Sequence, residues 1–357
     1  MKTVKFKNML NLRSLALVSI VVLASVFVSC EQDEDLVVPE PEMEVSAELD
    51  IEETLARITE DPDFFPTLIE GDVQGDEALK RGWITKRPTF RNLTYALLKT
   101  RLFWTVVRNE LTIFAPSDEA FNKFLKANGF KSIRQVPNET LKSVLLYHVV
   151  EGKVRSGDLT NGFVPTLNGA AVKVDLSSGV MINNASVEYA NIRALNGIIH
   201  IIDEVLFPPT QNIVEIAQSL PDNFSILVDA VIAADLAGIL SGDGPFTVFA
   251  PTNTAFVNLL SDLGVSDLNG LVDAIGIENV RKVLLYHVVS GRVYSSDLPL
   301  GPVDVTPLSG GSFEIDVTLP GLKDFNGNQS NLIPSLLDIQ GTNGVIHVID
   351  KVILPEL

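Results

Sequence analysis

The sequence contains a single cysteine, Cys30, in a chain of 357 residues. An internal disulfide needs two thiols, so the fold must be stabilised by core packing alone. Hydrophobic residues make up 46% of the chain and charged residues 20%, which provides enough apolar material for a globular core. The composition therefore excludes a disulfide scaffold and a largely disordered chain.

Positive charge is also scarce. The chain has 27 Lys and Arg residues against 45 Asp and Glu residues, which gives a formal net charge of −18. Binding to nucleic acid requires a basic face that neutralises phosphates, so this balance argues against nucleic acid as a partner. The sequence also lacks the Gly-x-Gly-x-x-Gly, P-loop and Gly-x-Ser-x-Gly motifs of nucleotide-binding proteins and serine hydrolases.

The N-terminus has the pattern of an export signal. Four basic residues within the first 13 precede an apolar run over residues 15–28, which is too short for a spanning helix. Small residues come just before Cys30, and together these features resemble a bacterial lipoprotein signal. We predict a signal peptide over residues 1–29 and acylation of Cys30, which becomes the first residue of the mature chain. The alternative is an ordinary secretory signal with an incidental cysteine.

Residues 30–50 are predicted to form an acidic tether. Nine acidic residues, no basic residue and two prolines lie between positions 31 and 50, so the segment repels itself and is stiff. The acidic residues directly after Cys30 also resemble the tag that sends some Gram-negative lipoproteins to the outer face of the outer membrane. Without the leader's four positive charges and the tether's nine negative charges, residues 51–357 still carry −13.

One stretch of the sequence occurs twice, at residues 111–121 (LTIFAPSDEAF) and at residues 246–256 (FTVFAPTNTAF). In each copy a run of β-branched and aromatic residues predicts a buried strand. A proline ends the strand, and a Ser or Asp in one copy and a Thr or Asn in the other can cap the helix that follows. The aromatic residues and prolines of the two copies are Phe114, Pro116, Phe121, Phe249, Pro251 and Phe256.

Two further blocks recur in the same order. The sequence Leu-Leu-Tyr-His-Val-Val occupies residues 145–150 and 284–289, and a block that begins Asn-Gly and contains a histidine occupies residues 196–203 and 343–350. Ordered blocks at matching spacing indicate tandem domains. The motif residues are Tyr147, His148 and His200 in the first copy and Tyr286, His287 and His347 in the second.

These blocks resemble the three signatures of the fasciclin-like adhesion domain family, and the resemblance covers about residues 52–357. It implies an α+β fold in which each of two tandem domains is a wedge of two small β-sheets flanked by helices. The motif strands would pair near the centre of each domain. The resemblance also implies a role in adhesion, with the Tyr-His dipeptide serving the fold and adhesive contacts. We assign residues 51–208 to the first domain and residues 209–357 to the second.

The two copies differ outside the motifs. An extra polar segment over about residues 71–89 predicts an insertion in the first domain. In the second domain the Gly/Asn-rich residues 319–334 predict a longer loop. Apolar periodicity in the second domain predicts helices over residues 212–217, 224–240 and 277–283.

The four histidines are the strongest candidates for chemistry. One interpretation is a metal site or an acid–base pair in each domain. The other is a core imidazole bonded to backbone carbonyls or a nearby tyrosine, which the apolar neighbours of His200 and His347 favour. No second ligand stands at metal-binding spacing, and residues 324–328 match a calcium loop poorly because the glycine is misplaced. We expect no catalytic residue, no metal and no cofactor.

One basic cluster stands out against the acidic background. Residues 80–91 carry five basic residues and no acidic residue around a tryptophan. The segment is either a solvated loop whose tryptophan packs on its own domain, or a contact site for an acidic partner or an anionic glycan. The candidate partner-binding residues are Lys80, Arg81, Trp83, Lys86 and Arg87 in this segment and Tyr147, His148, Tyr286 and His287 in the motifs.

We interpret the chain as a surface-exposed, non-enzymatic adhesion protein of the outer membrane. It would be anchored through a lipid on Cys30 and would engage an extracellular matrix protein, a glycan or another surface protein. One alternative is an accessory ligand-binding or hydrolytic component of a cell-envelope nutrient-uptake system, which would show a deep pocket lined by convergent polar groups. Another alternative is a structural protein that faces the periplasm.

Replacing Lys80, Arg81, Lys86 and Arg87 together by Ser should weaken attachment of the chain to a sulfated glycan or an acidic matrix protein. The reason is that attraction between exposed charges depends on these cations and is screened by salt. Retention on the immobilised partner, measured with and without added salt, checks this. Attachment that is unchanged by the substitutions and insensitive to salt would exclude the role.

Overall fold

A computed structural model of the chain describes residues 49–70, 87–298, 301–316 and 321–357. The predicted signal peptide, Cys30, nearly all of the tether and most of the predicted insertion lie outside the described residues. We call residues 51–208 the first module and residues 209–357 the second module.

In the first module, helices come both before and after the motif strand Leu111–Pro116 in the sequence. Its helices are α1 (Ile51–Glu60), α2 (Phe64–Glu70), α3 (Arg91–Thr100), α4 (Phe103–Arg108), α5 (Asp118–Ala127) and α6 (Asn138–Tyr147). Its strands are β1 (Leu111–Pro116), β2 (Val149–Glu151), β3 (Gly162–Pro165), β4 (Ala171–Asp175), β5 (Met181–Ile182), β6 (Ala185–Ala194) and β7 (Gly197–Ile202).

The second module repeats this order with shorter strands. Its helices are α7 (Ile213–Ser219), α8 (Pro221–Ala233), α9 (Ala237–Leu240), α10 (Asn253–Asp262), α11 (Leu268–Ile275) and α12 (Ile277–Tyr286). Its strands are β8 (Phe246–Pro251), β9 (Val288–Ser290), β10 (Val303–Val305), β11 (Phe313–Asp316), β12 (Gly321–Lys323), β13 (Gln329–Asn331), β14 (Ile339–Gly341) and β15 (Gly344–Ile349).

The two motif strands of each module pair in parallel, as the resemblance implied. β1 lies beside β7 with Phe114 opposite His200, and β8 lies beside β15 with Phe249 opposite His347. Every residue of β1, β7 and β15 is buried, which agrees with their continuous apolar sequences. The duplicated sequence therefore forms the centre of each module.

The sheets of the two modules differ in continuity. The second module has two separate four-stranded sheets, β14-β15-β8-β9 and β10-β11-β12-β13, as expected for a wedge. In the first module all seven strands form one sheet, because the ten-residue β6 extends through both halves with two register shifts. A 3₁₀ turn at Pro334–Leu336 separates β13 from β14 at the equivalent place. Proline has no N–H for a strand ladder, so the strand is interrupted there.

The asparagine of each Asn-Gly motif fixes helices as well as a turn. The Asn196 side-chain amide accepts from Ile51 N (2.9 Å) and donates to Val106 O (2.7 Å), which joins the start of α1 to the end of α4. In the second module, Asn343 accepts from Ile213 N (3.0 Å) and donates to Leu240 O (2.8 Å). The motif thus satisfies backbone groups at helix ends that would otherwise be buried without partners.

The residues after each Phe-Ala-Pro sequence cap two different helices. The Ser117 hydroxyl accepts from Ala120 N, and Thr252 does the same in the second module, so these residues cap the helix that follows. The next residue binds an earlier helix instead. Asp118 accepts from Asn92 N (2.8 Å) at the start of α3, and Asn253 accepts from a backbone N–H in the first turns of α8.

Each module has apolar cores on both faces of its central strands. Phe121 and Phe256 lie in the cores beneath the helices. Phe114 and Phe249 lie in the cores on the opposite faces, each together with the tyrosine of the Tyr-His motif. The motif aromatics are therefore internal, and each is at most 3% exposed.

The Gly/Asn-rich residues 319–334 contain two strands where the sequence predicted a loop. β12 and β13 pair there, and the Asp324 carboxylate accepts from Asn328 N (2.8 Å) and Leu354 N (3.2 Å). Asp324 thus closes a hairpin and ties it to the end of the chain. Three-residue strands of this kind are defined by their partners and not by their own propensity, so the composition of the segment concealed them.

Two predicted boundaries are also corrected. The helix expected over residues 224–240 is divided, because Asp235 adopts a positive φ of 54° between α8 and α9. The tether predicted to end at residue 50 ends earlier, since Leu49 O accepts from Leu195 N (2.7 Å) and Asp50 caps α1. The helices predicted over residues 212–217 and 277–283 are present as α7 and α12.

The two modules contact each other through a small buried cluster. The ring of Tyr294 stacks on Phe163 with 4.2 Å between centroids and 8° between planes. Along β4, β5 pairs only with Val174 and Asp175, so the β4–β5 ladder does not reach the backbone of Ala171. Ala171 N donates to the Tyr294 hydroxyl (3.2 Å) and Gln340 Nε2 donates to Ala171 O (2.9 Å). Side chains of the second module therefore complete a strand of the first.

Replacing Tyr294 by Ala should lower the free energy of unfolding by about 3 kcal/mol, the usual cost of deleting a large buried side chain. It should also loosen the contact between the modules, because Ala171 N loses a partner. Urea unfolding and NMR rotational correlation times check the two effects. Arg155→Ala at the equivalent, exposed position of the first module is the control. Equal stability of the two variants would contradict the role of the cluster.

Candidate functional site

The histidine of each Tyr-His motif is enclosed by backbone. His148 ends α6, where Nδ1 donates to Val144 O (2.7 Å) and Nε2 accepts from Leu206 N (2.9 Å). His287 makes the same two bonds in the second module, to Val283 O (2.8 Å) and from Ile353 N (3.0 Å). Because one ring nitrogen must donate and the other must accept, each imidazole is neutral with the proton on Nδ1.

His200 and His347 also use both ring nitrogens, but Nε2 is the donor and Nδ1 is the acceptor. His200 Nε2 donates to Val154 O (3.0 Å), and Nδ1 accepts from Asn191 N (3.3 Å). His347 Nε2 donates to Val293 O (2.9 Å), and its Nδ1 accepts from the backbone N–H of the residue equivalent to Asn191. Each ring also stacks on the motif phenylalanine of the neighbouring strand, with 5.6 Å between centroids. The interpretation of the histidines as core imidazoles agrees with this geometry.

Burial lowers the pKa of all four imidazoles. For His148 and His287, desolvation lowers the pKa to about 4, although the accepting carbonyls of Val144 and Val283 oppose the shift. Desolvation also lowers the pKa of His200 and His347, against the smaller raising effect of a backbone hydrogen bond. The four rings are therefore neutral at pH 7, and the single N–H of each is bonded to a backbone carbonyl.

The side chains of the Tyr-His motifs are inaccessible to a partner. Tyr147 and Tyr286 are 2% and 1% exposed, and His148 and His287 are 1% and 3% exposed. The Tyr147 hydroxyl donates to Ala171 O (2.9 Å), and the Tyr286 hydroxyl donates to a backbone carbonyl. The expectation that these four residues contact a partner is therefore wrong for this conformation, since each is committed to the interior.

One cluster in the second module contains the residue types of a catalytic triad. The Asp338 carboxylate accepts from the Ser295 hydroxyl (2.5 Å), and its Oδ1 lies 3.9 Å from His347 Nδ1. The serine proton is directed to the carboxylate and not to the imidazole, whose nitrogens are both bonded to backbone. A triad needs the histidine to accept the serine proton. In the first module Asn191 occupies the equivalent place, where its Oδ1 accepts from Ser156 N and its Nδ2 donates to the Ser156 hydroxyl, so the arrangement supports a turn.

The second module has a cavity of about 50 Å³ between its helices and its sheet. Its lining is apolar except for His287, which has no free ring nitrogen. This lining does not match the polar pocket expected of a hydrolytic or nutrient-binding component. Within the described residues no group of acidic, cysteine or histidine side chains could hold a metal ion. A search of the same residues finds no helix long and apolar enough to cross a membrane.

The predicted basic contact segment is described only at its end. Lys80, Arg81, Trp83 and Lys86 lie outside the described residues. Arg87 Nη2 donates to Thr59 O (3.0 Å), at the last turns of α1. Arg87 therefore makes a structural contact within its own module, where it was predicted to bind a partner.

The comparison with protein-family models now identifies the fold. The model for the Fasciclin domain matches residues 88–208 and 222–355, which is more than half of the chain. The chain belongs to the fasciclin domain family, and it contains the domain twice. The two matches coincide with the two copies of the central parallel strand pair.

Several curated proteins are similar to the chain. Transforming growth factor-beta-induced protein ig-h3 of Sus scrofa is 31% identical over 249 residues, covering 69% of this chain and 35% of that protein. Human periostin is 28% identical over 255 residues, covering 69% and 27%. The cell surface glycolipoprotein MPB83 of Mycobacterium bovis is 33% identical over 135 residues, covering 36% and 59%. The chain thus spans about a third of the length of the animal relatives.

Among solved structures, a FAS1 domain pair from the insect cell adhesion molecule fasciclin I is similar. It covers 74% of this chain and 96% of its own, with 21% identity and a TM-score of 0.35. The curated relatives of this chain thus include a protein of the cell surface.

Two features of the described residues were missed by the sequence analysis. Tyr294 and Gln340 join the modules, but no repeated pattern marks them, since the first module has Arg155 and Arg193 at those places. Trp104 is 58% exposed on α4. A tryptophan in a stretch where the two copies differ is the signal that could have drawn attention to it.

The folded chain should lose stability as the pH falls from about 6.5 toward 4. The pKa of His148 and His287 is lowered on folding, so the unfolded chain binds more protons in this window. At about 1.4 kcal/mol per pKa unit, each histidine contributes about 3 kcal/mol, fully present above pH 6.5 and lost near pH 4. Urea unfolding over this pH range measures the loss, and His148→Gln should give a shallower pH dependence. A folded-state NMR titration of His148 near pH 6.5 would contradict the prediction.

Proposed function

We propose that the chain is a non-enzymatic adhesion protein displayed at the cell surface, where it engages an extracellular matrix protein, a glycan or another surface protein. The observation that carries this is the complete use of all four imidazoles by backbone groups. The side chains most capable of catalysis or metal binding are thereby used to stabilise the fold. Membership of a family with cell-surface and adhesion proteins supports the same conclusion.

The anchor is a lipid on Cys30. Removal of residues 1–29 leaves Cys30 at the start of the mature chain, followed by an acidic segment that keeps the modules away from the membrane. The name of the mycobacterial relative, a cell surface glycolipoprotein, supports this arrangement. The outer face of the outer membrane is the expected location.

Recognition belongs to the parts in which the two modules differ. The aromatic residues, prolines and histidines of the repeated motifs are buried in both modules, so a partner contacts other residues. The basic segment around Trp83 is one such part, and it suits an acidic partner. Residues 51–208 and 209–357 are the two recognition modules under this proposal.

Replacing Cys30 by Ser should abolish incorporation of labelled palmitate and move the chain from the membrane fraction to the soluble fraction, because the thiol is the acylation site. Metabolic labelling and fractionation measure both effects. A substitution at Ser29, the residue before the cysteine, should leave some lipidation and serves as a control. Full membrane retention of the Cys30→Ser chain would contradict the lipid anchor.

Surface display is tested separately by protease treatment of intact cells. The modules should be cut under conditions that leave a periplasmic protein intact. Survival of residues 51–357 while a known surface protein is cut would contradict outward display and favour a periplasm-facing structural protein. Binding of the full-length chain to immobilised matrix proteins and glycans then tests adhesion itself.

A further inference from the structure

A groove on the first module combines polar and apolar walls. It has a volume of about 480 Å³, which is within the range of small-ligand sites. Thr105 and Asn109 come from α4 and the turn after it, and Glu151 comes from the edge strand β2. Leu167, which is 37% exposed, contributes apolar surface. Glu110, Leu111 and Gly152 complete the lining.

An exposed aromatic residue on α4 adjoins a lining residue of this groove in the chain. Trp104 directly precedes Thr105 on α4, and 58% of its surface is exposed. The Arg108 guanidinium lies 5.0 Å from the centroid of the indole, and the Phe103 ring meets it edge-on at 5.1 Å. These contacts fix the orientation of the indole while much of the side chain still faces solvent. A rigid, exposed indole is suited to packing against the apolar face of a ligand.

The polar walls offer hydrogen-bond acceptors at fixed positions. The Glu110 carboxylate is held by Lys153 at 3.1 Å but is still 72% exposed. The Asn109 amide nitrogen donates to Thr105 O (2.8 Å), which leaves its carbonyl oxygen directed elsewhere. Glu151 is exposed on β2. Carboxylate and amide oxygens, together with an exposed aromatic ring on the helix that supplies one wall, are suited to a ligand rich in hydroxyl groups.

The second module has the same backbone hydrogen bonds near this place but different side chains. Gly291 N donates to Pro245 O (2.8 Å) just as Gly152 N donates to Glu110 O (2.9 Å). Leu308 N likewise donates to the first residue of β9, as Leu167 N donates to β2. The two modules thus share these backbone hydrogen bonds, whereas the turn before the central strand differs: Asn109 is extended (φ −116°), and Gly244 has a φ of 55° and a cis bond to Pro245. The residues equivalent to Trp104, Arg108, Asn109, Glu110 and Glu151 are Ile239, Asp243, Gly244, Pro245 and Ser290.

From these observations we infer that the groove of the first module, with Trp104 at its edge, binds a neutral oligosaccharide. The indole packs on the C–H face of a sugar ring, and the carboxylates and the amide accept from its hydroxyl groups. Glu110 and Glu151 are balanced by Lys153 and by Arg108 beside the indole, so the groove offers no net positive charge to a sulfated or acidic sugar, which argues for a neutral ligand. This inference rests on the proposed adhesive function, since it names one class of glycan and the surface that recognises it.

Binding is tested with the full-length chain and a panel of neutral hexasaccharides, namely β-1,4-glucan, α-1,4-glucan, mannan and chitin oligomers. A sulfated hexasaccharide of chondroitin type is included for comparison. Calorimetry should detect binding of at least one neutral oligomer. Trp104→Ala should weaken that binding at least tenfold, because it removes the stacking surface. Glu151→Gln should weaken it less, since the amide still accepts one hydrogen bond.

The matched control is Ile239→Ala, which truncates the equivalent exposed residue of the second module and should leave binding unchanged. Circular dichroism of each variant verifies that it is folded. Three outcomes overturn the inference: no neutral oligomer binds at millimolar concentration, only the sulfated oligomer binds, or Trp104→Ala binds as the unchanged chain does. If the unchanged chain still attaches to a matrix protein in those cases, the adhesive function stands and only the groove is excluded.

Discussion

The structure depends on the close approach of two strands at the start of their parallel pairing. A Cβ atom at Gly197 would lie 2.0 Å from Leu111 O, and one at Gly344 would lie 2.5 Å from Phe246 O. Real Cβ atoms do not come so close to backbone oxygens, so only glycine permits the register that places each motif phenylalanine opposite a histidine. The Asn-Gly dipeptide therefore has two functions. Asparagine joins helix ends to the strand, and glycine lets the strand meet its neighbour.

The histidines connect the central strands and helices of each module to the segments that follow them. His148 connects the end of α6 to the segment after β7, and His200 connects β7 to the chain after β2. Each imidazole donates one bond and accepts one, which no aliphatic side chain of similar size can do. Loss of a ring would leave a buried N–H and a buried carbonyl without partners, at about 1–3 kcal/mol each. This closure gives a structural reason why the same residues recur in both copies.

The sequence alone was sufficient for the repeated part of the molecule and much less informative elsewhere. The central strands and the internal histidines followed from residue types at fixed spacing, and the pairing of the strands followed from the family resemblance. The helix caps were predicted at Ser117 or Asp118 and at Thr252 or Asn253. The strands within residues 319–334 did not follow from such patterns, because three-residue strands in a Gly/Asn-rich segment have little propensity of their own. The contact between the modules did not either, because its hydrogen-bonded partners lie 123 and 169 residues apart. The exposure of Trp104 could not be predicted either. Whether an aromatic residue on a short helix faces the core or the solvent is decided by neighbouring elements that periodicity does not reveal.

Because the two modules differ, each presents a different surface to the other, and the contact joins them in one order only. The first module offers Phe163 and the backbone of Ala171, and the second offers Tyr294 and Gln340. A contact between unlike surfaces can in principle continue from one copy to the next, because it does not close on itself. Here the free surfaces do not repeat it. The second module has Asp304 where the first has Phe163, and the first has Arg155 where the second has Tyr294. If the same contact were repeated by these free surfaces, an exposed ion pair between Asp304 and Arg155 would take the place of the buried aromatic stack. Such a pair contributes only about 0–1 kcal/mol. The stacked contact therefore joins these two modules in this order and is not available for extension.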